Sequence, residues 1–175
     1  MASDNYEKIL LILRHAKSSW KIGDYLPDHD RPLNKRGNNQ GVKMGKLIKE
    51  LNLVPDYIIS STAKRAIDTS KLIVDTCGYN GAIDLDASLY HQTTAEQFIK
   101  ILGNLPDKYM TVLLIGHNPS LEYLIKKLTN RVEVMKTCSL ARIDLRIRSW
   151  KDIADGENME GSLVGIWRPP VKESS

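Results

Sequence analysis

Short apolar runs of strand length alternate along this chain with segments in which hydrophobic residues recur at helical spacing. Strands are predicted over residues 8–13, 57–60, 111–115, 140–145 and 163–167. The runs ILLIL and VLLI are apolar at every position, which is typical of central strands covered by helices on both faces. The pattern predicts an α/β fold, a three-layer α/β/α sandwich with a mainly parallel central sheet.

The helical segments also carry start signals. Helices are predicted over residues 37–51, 63–74, 94–102 and 121–128. Asn34 is placed to cap the first, and Ser61 or Thr62 to cap the second. In the fourth, Asn118 fits the N-cap and Pro119 the first helical position. No linker or internal repeat interrupts the alternation, so one domain over residues 1–175 is expected, with a loose tail from residue 169 to 175.

Length and composition suit such a domain. The 175 residues are 42% hydrophobic and 26% charged, as in an ordinary globular protein. No apolar run approaches the roughly 20 residues that span a bilayer. The N-terminus, MASDNYEKIL, does not read as a secretory signal, so a cytoplasmic protein is expected. Cys77 and Cys138 stand among aliphatic residues and are expected to be free thiols in the core.

The chain carries a net charge of +4, and part of the excess follows the first strand. These cations are Lys17, Lys21, Arg31, Lys35 and Arg36. They could attract an anionic substrate or a nucleic acid. Nucleic acid is the weaker option, because Asp24, Asp28 and Asp30 interrupt the cluster and only 6% of residues are aromatic. We expect neither a nucleic-acid nor a membrane partner, and the oligomeric state stays open.

Polar motifs stand at three strand ends. The first strand runs into Arg14 and His15, SSTAKR with Arg65 follows the second, and GHNP with His117 follows the third. Ligands of open α/β sheets bind beyond the carboxyl ends of the strands. Arginine meets the oxygens of a phosphoryl group with a rigid fork of donors, and neutral histidine is a nucleophile near neutral pH. The three ends together therefore indicate phosphoryl transfer.

These motifs carry a family resemblance. RHA at residues 14–16, RPL at 31–33, SSTAKR at 60–65 and GHNP at 116–119 resemble, in this order, the histidine phosphatase superfamily. The segments RHAKSSW and RPLNKRG are most similar to its SixA-type phosphohistidine phosphatase branch. The resemblance spans roughly residues 10–128 and implies a phosphoglycerate mutase-like fold. Ala16 replaces the glycine of the usual Arg-His-Gly motif, which leaves both chemical residues in place.

The resemblance implies a role for each matching residue. His15 would be the nucleophile that becomes phosphorylated, Arg14 and Arg65 would clamp the phosphoryl oxygens, and His117 would complete the pocket. Water would then release phosphate, without a metal or another cofactor.

Three further residues lie where the loop after the first motif could help to bind substrate. They are Lys17, Ser18 and Arg31. An equally good interpretation of Arg31 is a structural ion pair with Asp28 or Asp30.

A proton donor for an ester leaving group is hard to find. Asp86, Glu96 and His91 are weak candidates, and Ser88 stands near the expected position. Without a donor, an alkoxide leaves poorly, whereas the imidazole of phosphohistidine can leave as a neutral ring. The sequence thus favours a phosphohistidine-bearing protein as substrate. A phosphomonoesterase acting on small phosphate esters and a non-catalytic phosphate-binding module are the alternatives.

Overall fold

Within residues 8–20, 25–155 and 161–171, the ranges that the computed structural model describes, the chain forms six β-strands and four α-helices. The strands are β1 (Lys8–Arg14), β2 (Tyr57–Ser61), β3 (Ile83–Asp86), β4 (Thr111–Gly116), β5 (Leu140–Leu145) and β6 (Gly161–Trp167). The helices are α1 (Lys35–Glu50), α2 (Lys64–Cys77), α3 (Ala95–Gly103) and α4 (Ser120–Thr129). All five predicted strands and all four predicted helices are therefore confirmed, with ends that differ by a few residues.

The strands form one mixed sheet in the order β3-β2-β4-β1-β5-β6. β1, β2, β3 and β4 run parallel to one another where they pair. β5 is antiparallel to β1, and β6 is antiparallel to β5. The predicted α/β fold is confirmed, and the sheet adds an antiparallel edge that the hydrophobic pattern did not indicate.

Helices cover both faces of the sheet, which explains why β1 is apolar at every central position. Successive strand side chains point to opposite faces. Leu10 and Ile12 pack with α3 and α4 on one face, whereas Leu11 and Leu13 pack with α1 and α2 on the other. A strand with helices on both sides has no solvent face, so a polar residue first becomes favourable where the strand ends.

The structure corrects two of the three predicted caps. Asn34 caps α1 as predicted, because its side chain accepts the Gly37 N–H at 2.8 Å. α2 begins after Ala63, with no side-chain cap, so neither Ser61 nor Thr62 is its N-cap. These predictions used only the position of the residues before the helix. In the structure, the Ser61 side chain contacts His117 instead.

The predicted N-cap of α4 is also wrong. Pro119 occupies the N-cap position of α4, which begins at Ser120 rather than at the proline. The Asn118 side chain does not cap the helix, because its amide donates to Glu122 Oε1 at 2.7 Å and to the Met135 carbonyl at 2.8 Å. Asn118 thus ties the start of α4 to the chain that follows it.

Several remaining expectations concern the periphery. β3 was not predicted, since IDLD is short and half polar. Cys77 and Cys138 are buried and free, as expected. Residues 169–171 form no helix or strand, but the Pro170 carbonyl accepts a hydrogen bond from Lys43. Residues 172–175 of the predicted tail lie outside the described ranges, as do Lys21 and Asp24. None of the described helices is both long and apolar enough to cross a membrane.

Candidate active site

The carboxyl ends of β1, β2 and β4 meet at one edge of the sheet. Arg14, the last residue of β1, pairs with Gly116 at the end of β4. The His15 N–H donates to the Gly116 carbonyl at 3.1 Å, which fixes the backbone beyond the strand. His117 follows at once, and its ring centroid lies 5.0 Å from that of His15. Parallel pairing therefore brings together two histidines that lie far apart in the sequence.

His15 is held as a neutral imidazole with one defined tautomer. Its ring Nδ1 lies 2.8 Å from the Ala16 carbonyl, which can only accept, so we assign the ring proton to Nδ1. Burial and the charges of Arg65, Arg14 and Arg31 lower the pKa of His15 to about 3 from its usual 6.5, although the Ala16 bond opposes the shift. Nε2 thus keeps its lone pair at neutral pH, as a nucleophile requires.

Ala16 fits where the resemblance has glycine. Its methyl group is fully buried among the residues under α1 and α2, and its N–H donates to Thr69 Oγ1 at 3.0 Å. Ala16 is not among the described residues with positive φ, so the position does not require glycine.

His117 is positioned by Ser61, a residue that sequence analysis considered only as a cap. Ser61 Oγ lies 2.7 Å from Nε2 of His117 and accepts the Ala63 N–H at 3.2 Å. Since the hydroxyl already accepts one bond, we assign its own proton to Nε2, which leaves the imidazole proton on Nδ1. Burial, with His15 and Arg65 nearby, lowers the pKa of His117 to about 3. The neutral ring therefore offers one N–H, at Nδ1.

Arg65 is buried and Arg14 is half-buried beside these rings, and each has a buried donor without a partner among the described residues. Arg14 donates to the Met135 carbonyl at 2.9 Å, and Arg65 donates to the Asp28 carbonyl at 2.8 Å. The Nε atoms of both arginines and Nδ1 of His117 are buried without a hydrogen-bond partner in the described part of the chain. A buried unsatisfied donor costs about 1–3 kcal/mol. Three such donors in one place form a site where a bound oxyanion would supply the missing hydrogen-bond acceptors.

Asp28 is a site residue that sequence analysis treated only as a possible partner of Arg31. Its carboxylate accepts from Arg31 Nε at 2.9 Å, from Arg65 at 3.2 Å and from the Tyr90 hydroxyl at 2.7 Å. Partial burial raises the pKa of Asp28, but the Tyr90 hydrogen bond and the two arginines outweigh it and hold the pKa well below its usual range. Asp28 therefore joins its own segment, the first turn of α2 and the turn after β3 as an ionised group, and nothing in its sequence context signals this.

The three weaker predictions, Lys17, Ser18 and Arg31, all line the same small cavity. Arg31 forms the structural ion pair with Asp28, donates to Ser18 Oγ at 2.9 Å and stacks on Trp20 at 3.8 Å. It thus combines a structural role with a place at the cavity wall. Asp30 is not its partner.

Two cavities meet at Arg65, His117 and Asn118. The smaller, of about 200 Å³, holds His15 and both arginines, and suits a single phosphoryl group. The larger, of about 700 Å³, extends past Tyr90 toward the start of α3 and has room for the group that carries the phosphate. His91 and Glu96 line the larger cavity only, and the Asp86 carboxylate is bonded to the Ser88 N–H at 2.8 Å.

Comparison with known proteins follows the motifs. Residues 10–96 match the family profile of the histidine phosphatase superfamily (branch 1). A chloroplastic Arabidopsis thaliana protein of uncharacterized activity is 31% identical over 158 residues, 86% of this chain and 72% of that protein. The 2,3-bisphosphoglycerate-dependent phosphoglycerate mutase of Bifidobacterium longum is 36% identical over 67 residues, 38% of this chain but only 27% of the mutase.

Solved structures agree on the fold. The structure of the protein histidine phosphatase SixA complexed with tungstate superposes with a TM-score of 0.79 at 20% sequence identity. The match covers 92% of this chain and 97% of the SixA chain. At this identity the similarity establishes a common architecture.

Proposed function

The chain belongs to the histidine phosphatase superfamily, and on that premise we propose that it is a phosphatase that hydrolyses phosphohistidine on another protein. One observation carries the proposal. A neutral His15 whose Nε2 carries no proton stands among three buried donors that lack partners in the described part of the chain, on Arg14, Arg65 and His117. This is a nucleophile next to a preformed binding site for the oxygens of a phosphoryl group.

In the first step, Nε2 of His15 attacks phosphorus. A bond forms from Nε2 to phosphorus while the bond from phosphorus to the substrate nitrogen breaks. Arg14, Arg65 and the Nδ1–H of His117 donate to the phosphoryl oxygens. The substrate imidazole, protonated on its other nitrogen, takes the bonding electrons and leaves as a neutral ring.

In the second step, water attacks the phosphorus of phosphorylated His15. The bond from phosphorus to Nε2 breaks, its electrons return to the ring, and inorganic phosphate departs with the oxygen of water. The Ala16 carbonyl continues to hold the Nδ1 proton of His15, so the ring again becomes a neutral imidazole. His15 is thereby ready for another cycle.

The preference for phosphohistidine rests on the lack of a protonated carboxylic acid beside Arg65 in the described part of the chain. Asp28 is the carboxylate that touches Arg65, and its low pKa leaves it without a proton at neutral pH. Glu96 points into solvent with 72% of its side chain exposed, 3.9 Å from Lys127. An imidazole leaves without assistance, whereas an alkoxide does not.

Metal independence is part of the proposal. Arg14 and Arg65 supply the positive charge that a metal ion would otherwise supply to the phosphoryl oxygens. Turnover is expected to be unchanged when EDTA replaces added magnesium. Loss of activity in EDTA, restored by a divalent cation, would refute this part.

The cytoplasmic location expected from the sequence also stays a prediction, which imaging of the tagged protein tests.

A phosphomonoesterase for small phosphate esters is the second candidate, since His91 and Glu96 border the larger cavity. The deciding experiment compares phosphate release from a phosphohistidine-bearing protein with release from an aryl phosphate, with His15→Ala as the control. A strong preference for phosphohistidine that the variant loses supports the proposal. Faster ester cleavage makes small phosphate esters the leading substrates.

A further inference from the structure

α1 carries the entire charge surplus of this protein. The helix contains five Lys or Arg residues and one Glu, a formal charge of +4. The whole chain also has a net charge of +4, so the other residues together are balanced. A uniform excess of surface lysines would be spread over all elements. Here the surplus of positive charge is concentrated in one 16-residue helix, so it distinguishes a single face of the molecule.

Four of these cations lie together along one groove. They are Lys35, Arg36, Lys43 and Lys46. The groove, of about 760 Å³, lies between α1 and residues 169–171, and Lys43 Nζ donates to the Pro170 carbonyl at 2.6 Å. In the described ranges, none of the four forms an ion pair with an acidic side chain. We call these four residues the basic face of α1.

Two of them stand where they weaken their own helix. Lys35 and Arg36 are the first two residues of α1, and its first turn contains no acidic residue. The helix dipole makes a cation there unfavourable, by about 0.3–1 kcal/mol. Both side chains are exposed, so packing does not require them. A feature that opposes stability and fills no core position points to binding.

The basic face begins at the rim of the phosphoryl site. Gly37, in the first turn of α1, packs so closely on Lys17 that a Cβ there would lie 2.0 Å from the Lys17 carbonyl oxygen. The Lys17 N–H also donates to Gln40 Oε1, in the next turn, at 3.0 Å. Lys17 lines the cavity that holds His15, and Gln40 lines the groove. The cavity and the groove are thus adjacent and share a wall.

We propose that the basic face of α1 is a docking surface for an acidic patch on the protein that carries the phosphohistidine. This inference rests on the proposed function and adds the kind of partner. α1 extends over about 24 Å at 1.5 Å per residue, far more than a small phosphate ester could contact. A folded protein with clustered Asp and Glu complements such a surface while its phosphohistidine reaches His15. Electrostatic complementarity of this type raises the rate of productive encounter and is weakened by salt.

The test uses two charge-reversal variants of the full chain, Lys35→Glu/Arg36→Glu and Lys43→Glu/Lys46→Glu. Neither pair lines the cavity that holds His15. With a small acidic protein that carries one phosphohistidine, we expect kcat/KM at low salt to fall about tenfold, mainly through KM, and the loss to shrink as salt is added. Free phosphohistidine, the amino acid, should be hydrolysed within twofold of the wild-type rate.

The matched control reverses two exposed lysines on the opposite layer, as Lys100→Glu/Lys108→Glu, with the same change of net charge. It should leave kcat/KM for both substrates within twofold. An equal loss in this control would overturn the inference, because net charge alone would explain it. Thermal unfolding provides a second readout: Lys35→Glu/Arg36→Glu should unfold at the wild-type temperature or above, since Glu suits the first turn.

The outcomes separate the two proposals. If the wild-type protein hydrolyses neither the phosphorylated protein nor free phosphohistidine, the proposed function fails. If it hydrolyses both substrates and the variants of the basic face behave as wild type, only the docking surface is wrong. Tight binding of duplex DNA that both variants lose, with unchanged kinetics on the phosphorylated protein, would also overturn the acidic-protein assignment.

Discussion

Ser61 Oγ lies 2.7 Å from Nε2 of His117, and this contact joins the last residue of β2 to the residue that follows β4. Ser61 is fully buried and His117 is nearly so, which removes competing water. In the proposed mechanism, the hydroxyl therefore decides which nitrogen of His117 presents a proton to the phosphoryl group. Ser61 acts through His117 and is a positioning residue.

Ser61→Ala should lower kcat about tenfold with little change in KM, because His117 can then adopt the tautomer without a proton on Nδ1. Ser61→Thr, which keeps the hydroxyl, should recover most of the rate. Steady-state kinetics on phosphohistidine measure both. A Ser61→Thr rate as low as that of Ser61→Ala would contradict the role assigned to the hydroxyl.

His15→Ala should reduce turnover by about 10³-fold or more, because the covalent intermediate cannot form without Nε2. The fold should persist, since the imidazole lies beyond the end of β1 and its side chain contributes to neither apolar cluster. Circular dichroism checks the fold and trapping of the phosphoenzyme by acid quench checks the intermediate. Near-full activity in a folded His15→Ala protein would refute the assignment.

Arg65→Lys should lower kcat/KM about 100-fold although the charge is kept, because an ammonium cannot donate to Asp28 and to a phosphoryl oxygen with the fixed geometry of a guanidinium. Arg131→Lys is the matched control, since Arg131 is exposed and its guanidinium forms an ion pair with Glu133 alone among the described residues. The same assay compares both variants. Equal activity of Arg65→Lys and wild type would exclude a fork of donors as the function of Arg65.

Aryl phosphates should be cleaved at rates that rise steeply as the pKa of the leaving phenol falls, because no protonated acid assists departure. Glu96→Gln and His91→Ala should leave this dependence unchanged. The measurement is a series of substituted aryl phosphates at constant pH. A flat dependence in the wild-type protein that becomes steep in one variant would identify that residue as a proton donor.

The free energy of unfolding should decrease as the pH falls below about 6.5. The pKa of His15 and of His117 is about 3 in the folded chain, so the unfolded chain binds more protons between pH 6.5 and 3. The full contribution is present above pH 6.5 and is lost toward pH 3. A His15→Gln/His117→Gln variant should lose stability less steeply between pH 6.5 and 4.5 in urea titrations. Parallel curves for the two proteins would contradict the low pKa values.

Sequence pattern predicted four helices and five of the six strands in the described part of the chain, and it placed the four motif residues at strand ends, because each of these features depends on local signals. β1 and β4 are apolar at their central positions because helices cover both of their faces, and the polar residues at their carboxyl ends mark where that cover ends. Parallel pairing of neighbouring strands then predicts that His15 and His117 meet. The direction of β5 and β6 carries no such signal, so the antiparallel edge was not predicted.

The parts that sequence did not predict depend on long-range contacts. Asp28 becomes a site residue only because α2 and the turn after β3 bring Arg65 and Tyr90 to it. Ser61 looked like a cap because caps and site hydroxyls occupy the same position before a helix. In both cases the side chain has two physically reasonable uses, and only the packed chain decides between them.

The position of β1 in the sheet has a consequence for how the protein is made. β1 is synthesised first, yet its neighbours β4 and β5 begin about 100 and 130 residues later. Closing such long loops costs conformational entropy and is slow. The strand contacts that offset this cost form only when both strands have been synthesised. A ribosome-bound chain that has not reached β5 thus exposes one edge of β1, which is apolar from Ile9 to Leu13, next to the proposed nucleophile. The proposed active site and protection from aggregation therefore form together, once β5 has been synthesised.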